Sequence, residues 1–168
     1  NKAKESVLSP GNYDVGSIYF VDEQNDQVYI SASLDKTYQR YLYKIDLSNP
    51  GPPEKVTPEN FEGINTYNFS PNGKYAIHSH TRFNQPSTHS LIELENHKAL
   101  ATLVDNQALV EKLKALDLPT VEFEKVQIEE GVELDVSIIK PINFNPNLKY
   151  PALFQVYGEP FGQIVSDQ

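Results

Sequence analysis

The sequence predicts a mainly β chain that turns into the start of an α/β unit near its C-terminal end. Two successive sets of four short strand-like runs lie between Asp14 and Val104, each bounded by polar or Gly/Pro turns. The hydrophobic period then changes to a helical one up to Pro119. Finally, an apolar run (Ala152, Leu153, Phe154, Val156) breaks into the turn Tyr157-Gly158-Glu159-Pro160-Phe161-Gly162. Ten Tyr and eight Phe against no Trp or Met agree with a preference for strands.

In the first set the runs are VGSIYFVD, QVYISAS, RYLYKIDL and, after a Pro-Gly-Pro-Pro break, EKVT. Tyr41, Tyr43 and Ile45 alternate with Leu42, Lys44 and Asp46, the period of two expected of a half-exposed strand. The second set is INTYNFS, the turn Pro71-Asn72-Gly73, KYAIHSHT, a long loop through Asn84 to Ser87, THSLIELE and KALATLV. Tyr29 and Tyr75 hold corresponding places after their turns, at a spacing near the ~40 to 50 residues of a propeller blade. Residues 13–57 and 62–104 are therefore expected to be two β-propeller blades, and since two cannot close a ring, further blades are expected upstream.

Asp105 can cap a connecting helix over 105–118, with Leu109, Leu113 and Leu116 forming a stripe that packs on a neighbour and Pro119 as the stop. After Pro119, TVEFEKVQIEE and VELDVSIIKP read as a β-hairpin about Glu130-Gly131. The polar loop NFNPNLK leads to a third, fully apolar strand, PALFQVY, as in a mixed sheet whose interior is about to turn parallel. A second domain thus starts near residue 119.

A net charge of −9 without a Lys/Arg cluster excludes a nucleic-acid or anionic-membrane surface. Without cysteine there is no disulfide framework, no thiolate nucleophile and no Cys-bound zinc. No apolar run is long enough to span a bilayer, and the polar opening has no h-region. The lack of any Met makes an internal stretch of a longer protein the expectation, with a leader further upstream left open. Unpaired sheet edges in such a stretch predict self-association.

His78 and His80 lie two apart on one strand, so they share a face and could form a metal site with Glu93 or Glu95. A solvated sheet surface is the preferred reading of that pair, and no cofactor or metal is expected. His89 and His97 have no distinctive context. Glu129, Glu130 and Glu133 read as turn and edge charges. No Gly-x-Ser-x-Gly elbow is present, so the chain carries no serine nucleophile of that kind. Tyr157 remains: a hydroxyl on a rigid turn could donate to an oxyanion in acyl transfer, although by residues alone a packed strand-end aromatic is the plainer reading.

The order YDV, QRYLYKIDL, FSPNGKYAIHSHT, DNQALVEKL and YPALFQVYG resembles the dipeptidyl peptidase IV branch of the prolyl oligopeptidase serine peptidases over nearly the whole chain. The resemblance implies that residues 1–104 end a propeller and that residues 119–168 begin an α/β-hydrolase domain, before its nucleophile. It further implies that Tyr157 supplies the oxyanion-hole hydroxyl, with Gly158 and Glu159 as loop contributors, and that the Ser, Asp and His of the triad lie beyond Gln168. The implied activity is release of N-terminal dipeptides, after Pro or Ala, from a peptide substrate, with this stretch inactive alone. The resemblance also favours a periplasmic or secreted location and allows a homodimeric parent. Alternatives are a tripeptidyl or acylaminoacyl peptidase of the same family, or a non-catalytic binding protein. Where many relatives have Gly-Pro, Glu159 stands before Pro160, so the loop either runs differently or uses Glu159 as a local hydrogen-bond acceptor.

Overall fold

A computed structural model describes residues 6–159 and 162–168; the Pro160-Phe161 part of the expected turn lies outside the described residues. The first four strands, β1 (Val15–Asp22), β2 (Gln27–Ala32), β3 (Tyr41–Asp46) and β4 (Glu54–Lys55), form one antiparallel sheet in chain order. β5 (Ile64–Phe69), β6 (Tyr75–Arg82), β7 (Gln85–Glu93) and β8 (Lys98–Val104) form a second in the same order. After α1 (Gln107–Lys114), β9 (Val121–Glu129) and β10 (Val132–Ile139) pair as a separate hairpin, with Gly131 at φ 77° in its turn.

Turn chemistry fixes the registers. Asp22 Oδ1 accepts the N–H groups of Gln24 and Asn25, closing the β1–β2 turn, and Asp26 follows at φ 51°. At β5–β6, the Gly73 N–H donates to the Ser70 carbonyl at 2.9 Å, and Gly73 takes φ 66°. The expected loop from Asn84 to Ser87 is corrected to a two-residue turn, Phe83-Asn84, with Asn84 at φ 60° and β7 already begun at Gln85. A bulge between the pairs Arg82↔Gln85 and His80↔Thr88 absorbs Pro86, which has no N–H to give a regular ladder.

The core has two parts. Cross-strand pairs Val28↔Ile45, Ile30↔Tyr43 and Ala32↔Tyr41 bury one face of the first sheet. Its other face meets the second sheet, where Leu42, fully buried, joins Tyr67, Ala76, Ile92 and Leu94, with Tyr19, Tyr29 and Phe69 around them. Strand β3 is therefore covered on both faces at Leu42, where half-exposure was expected. Tyr29 packs on Phe69 at 5.4 Å between ring centroids, whereas Tyr75 stays exposed, so their matching places in sequence do not give matching surroundings.

A parallel bridge Arg40↔Ile64 joins the sheets through the bonds Arg40 N–H to Gly63 O and Asn65 N–H to Arg40 O, both 3.0 Å. Gly63 sits at φ 114°, and a Cβ there would lie 2.4 Å from the Thr81 carbonyl oxygen. Gly63→Ala is expected to destabilise this junction by about 1 to 3 kcal/mol, through backbone strain and the clash. Loss of amide-exchange protection at Arg40 and Asn65 would show it; unchanged protection would contradict it.

The helix is shorter than the expected 105–118. Asp105 Oδ1 does accept the Gln107 N–H at 3.0 Å, but Asn106, at φ 51°, is the N-cap. The Leu116 N–H closes a three-residue turn onto the Leu113 carbonyl, so Leu116 lies past the helix end and is exposed. None of the helix residues is buried, and the expected Leu109-Leu113-Leu116 stripe is replaced by half-buried Val110 and Leu113, which face a groove.

Candidate functional site

The third apolar strand expected at PALFQVY does not form: residues 151–158 take no regular structure. Leu153 and Phe154 are 98% and 86% exposed. Apolar composition favours burial, but strand geometry needs a hydrogen-bonding neighbour, and the β9–β10 hairpin does not pair with this segment.

Tyr157 follows, half-exposed, with its hydroxyl donating to Glu159 Oε2 at 3.3 Å. Glu159 therefore serves as a local acceptor, as one of its two sequence readings had it. The Cδ1–Cε1 edge of the Tyr157 ring abuts Gly162: a Cβ on that glycine would overlap both ring carbons. Gly158, by contrast, has open space where a Cβ would stand.

From Gly162 the chain runs back onto both sheets. Gln163 Nε2 donates to the Thr37 carbonyl at 2.7 Å, and Arg40 Nη2 reaches Gln163 Oε1 at 3.4 Å. Asp167, 2% exposed, accepts at Oδ2 from Gln39 Nε2 (2.8 Å) and at Oδ1 from the Phe83 N–H (3.1 Å), and Arg82 Nε lies 3.5 Å from Oδ2. The Asp167 N–H donates to the Tyr38 carbonyl at 2.9 Å. Each carboxylate oxygen thus has a donor, which is what allows the charge to be buried. The same loop holds the hairpin, since Tyr38 stacks on Phe123 at 4.0 Å and Thr37 Oγ1 donates to Asp135 Oδ2 at 2.7 Å. Arg82, Phe83, Val110, Leu113, Phe123 and Asp167 line an open cleft of about 960 Å³ between these elements.

The histidine pair is not on a solvated surface. His78 and His80 are 3% and 6% exposed, and Phe61 meets both edge-on at 4.8 and 5.4 Å. His78 stacks on Tyr67 at 4.7 Å, and His97 closes the cluster at 4.8 Å from His78. His97 accordingly has a distinctive context, bonded at Nε2 to the Tyr67 hydroxyl at 2.9 Å. Asn65 Nδ2 donates to the carbonyls of Arg40 and Phe61, which turns Oδ1 toward His78 and makes His78 Nε2 the donor of their 2.8 Å bond. Burial, with His97 and His80 adding to it, lowers the His78 pKa to about 3, and burial lowers that of His97. Neither Glu93 nor Glu95 converges on the pair, and among the described residues no three His, Cys, Asp or Glu side chains are grouped to hold a metal. His89 Nδ1 bonds Ser79 Oγ at 2.7 Å. Glu133 lies 3.9 Å from Lys125 on the exposed hairpin, where Glu129 and Glu130 are also exposed.

Residues 1–87 match the family model for the dipeptidyl peptidase IV N-terminal region. Among curated proteins, the chain is 33% identical to dipeptidyl peptidase 4 of Trichophyton rubrum over 166 residues, covering 97% of this chain and 21% of that protein. It is 31% identical to dipeptidyl peptidase 4 of Arthroderma otae over the same length, again 97% and 21%. The crystal structure of Porphyromonas gingivalis dipeptidyl peptidase 4 superposes with a TM-score of 0.84 at 33% identity, over 95% of this chain and 22% of that one. The chain thus spans about a fifth of the length of the relatives it matches.

Proposed function

Because this chain belongs to the dipeptidyl peptidase IV family, we propose that it is part of a serine peptidase that releases N-terminal dipeptides, after Pro or Ala, through an acyl-enzyme. The observation that carries this reading is a likeness that continues past the family's N-terminal region to cover 97% of the chain, the Tyr157 turn included. In the proposed arrangement, residues 13–57 and 62–104 are the last two blades of a propeller. Residues 105–118 connect them to an α/β-hydrolase domain beginning at residue 119. The triad belongs to the remainder of the parent protein, and this stretch alone is inactive.

Tyr157 would act on the tetrahedral intermediate. As the substrate carbonyl becomes an oxyanion, the phenol hydroxyl exchanges its long bond to Glu159 for a short one to the developing charge. A donor already held near that position costs little reorganisation at the moment of reaction. Gly158, as a loop contributor, would lie beside the donor; open space surrounds the place of its missing Cβ.

The reading is tested in the full-length protein with chromogenic anilides of Gly-Pro and Ala-Ala, each with a free and an acylated N-terminus, beside a free tripeptide anilide. Free dipeptidyl anilides are expected to be cleaved far faster than the rest. Preference for the acylated or tripeptidyl substrates would replace the reading with another peptidase of the family, and no cleavage of any would leave a binding protein.

A further inference from the structure

Ten residues beyond Tyr157, Asp167 is a buried carboxylate that touches both sheets. Its partners come from the loop before β3 (Tyr38, Gln39) and from the β6–β7 turn (Arg82, Phe83), residues 84 or more positions away in the chain. Gln39, 1% exposed, is itself held by the Tyr41 hydroxyl at Oε1, so its amide is oriented to present Nε2 to Asp167. Four residues earlier, Gln163 is pinned to the same loop at Thr37. The residue before that pin is Gly162, on whose backbone the Tyr157 ring rests.

We propose that Asp167 and Gly162 are positioning residues for Tyr157: Asp167 anchors the segment Gly162–Gln168 to the two sheets, and Gly162 is the seat that sets where the Tyr157 ring lies. The proposal rests on the oxyanion reading of Tyr157 and deepens it. A half-exposed tyrosine at the end of an irregular segment has many ring positions open to it, and an oxyanion donor displaced by about 1 Å loses much of its effect. The anchored glycine removes that freedom. The two sheets and the donor hydroxyl are thereby held in one frame, so the position of the oxyanion donor depends on the loop Thr37–Arg40.

In the full-length protein, Gly162→Ala is expected to lower kcat about tenfold or more with KM within about twofold, because the new methyl displaces the ring and leaves substrate binding alone. Asp167→Asn should act in the same direction, since its NH2 would replace one of the two accepting oxygens and face a donor, either Phe83 N–H or Gln39 Nε2. Both are repeated in a Tyr157→Phe background, where neither should lower kcat by more than about twofold further, since the hydroxyl they position is already gone. Equal fold-losses in the two backgrounds, or a normal kcat in Gly162→Ala, would overturn the positioning role while leaving Tyr157 as the donor. A normal kcat in Tyr157→Phe alone would overturn the oxyanion reading and this inference together. Should Asp167→Asn fail to fold, Gly162→Ala decides the matter, because Gly162 lies on an exposed segment.

Discussion

On the proposed oxyanion role, Tyr157→Phe in the full-length protein is expected to lower kcat by about 10² to 10³ with little change in KM, the loss typical of one oxyanion-hole donor. The substitution removes a single hydroxyl and keeps the ring that lies on Gly162. Its partner in the resting arrangement, Glu159, is exposed and the bond is long, so losing it should cost the fold almost nothing. A fall in kcat can then be assigned to the transition state. Burst kinetics sharpen the test, because a missing oxyanion donor slows acylation and deacylation alike. An unchanged kcat would sink the role, and a rise in KM at constant kcat would make Tyr157 a substrate-binding residue.

Strand existence was legible because alternation and turn residues agreed. Pro71-Asn72-Gly73 left its flanking runs little choice of register. At Pro86 the same logic misled: a proline beside Asn84 suggests a loop, yet a bulge gives it a place where no ladder N–H is needed. PALFQVY misled in the opposite sense. Its apolar residues report that the segment suits burial, while strand formation depends on a neighbour that composition cannot name.

The site was only half visible for a related reason. Tyr157 stands in a recognisable turn, and the acceptor role of Glu159 was one of two readings its neighbours allowed. Asp167 carried no local signal at all, because everything that gives it meaning lies in Gln39, Arg82 and Phe83. Period two correctly put His78 and His80 on one face of β6, but it cannot say what covers that face. Phe61, brought over by the segment after β4, and His97, at φ 53° in the β7–β8 turn, cover it.

That covered histidine cluster makes the second sheet acid-sensitive. His78 is folded as the neutral imidazole, with its pKa lowered to about 3 from 6.5 by burial first and by His97 and His80 second. Its contribution to stability is complete above about pH 6.5 and is lost as the pH falls toward about 3, because the unfolded chain takes up the proton earlier. By about pH 5 this one group should cost the sheet on the order of 2 kcal/mol, and His97, lowered by burial as well, adds in the same direction. Of the other groups facing the cluster, Tyr67 stays neutral, its pKa raised by burial. Glu62, which receives the His80 Nε2 bond at its backbone carbonyl, has its carboxylate lowered by the Lys36 ammonium and remains ionised. Neither offsets the effect. Amide-exchange protection factors in β6, compared between pH 7.5 and about pH 5, should fall by at least about thirtyfold in the unaltered protein, the equivalent of the 2 kcal/mol from His78. In His78→Gln, which keeps a donor for Asn65 Oδ1, most of that fall should vanish; parallel pH profiles for the two proteins would refute a neutral, buried His78 as its source.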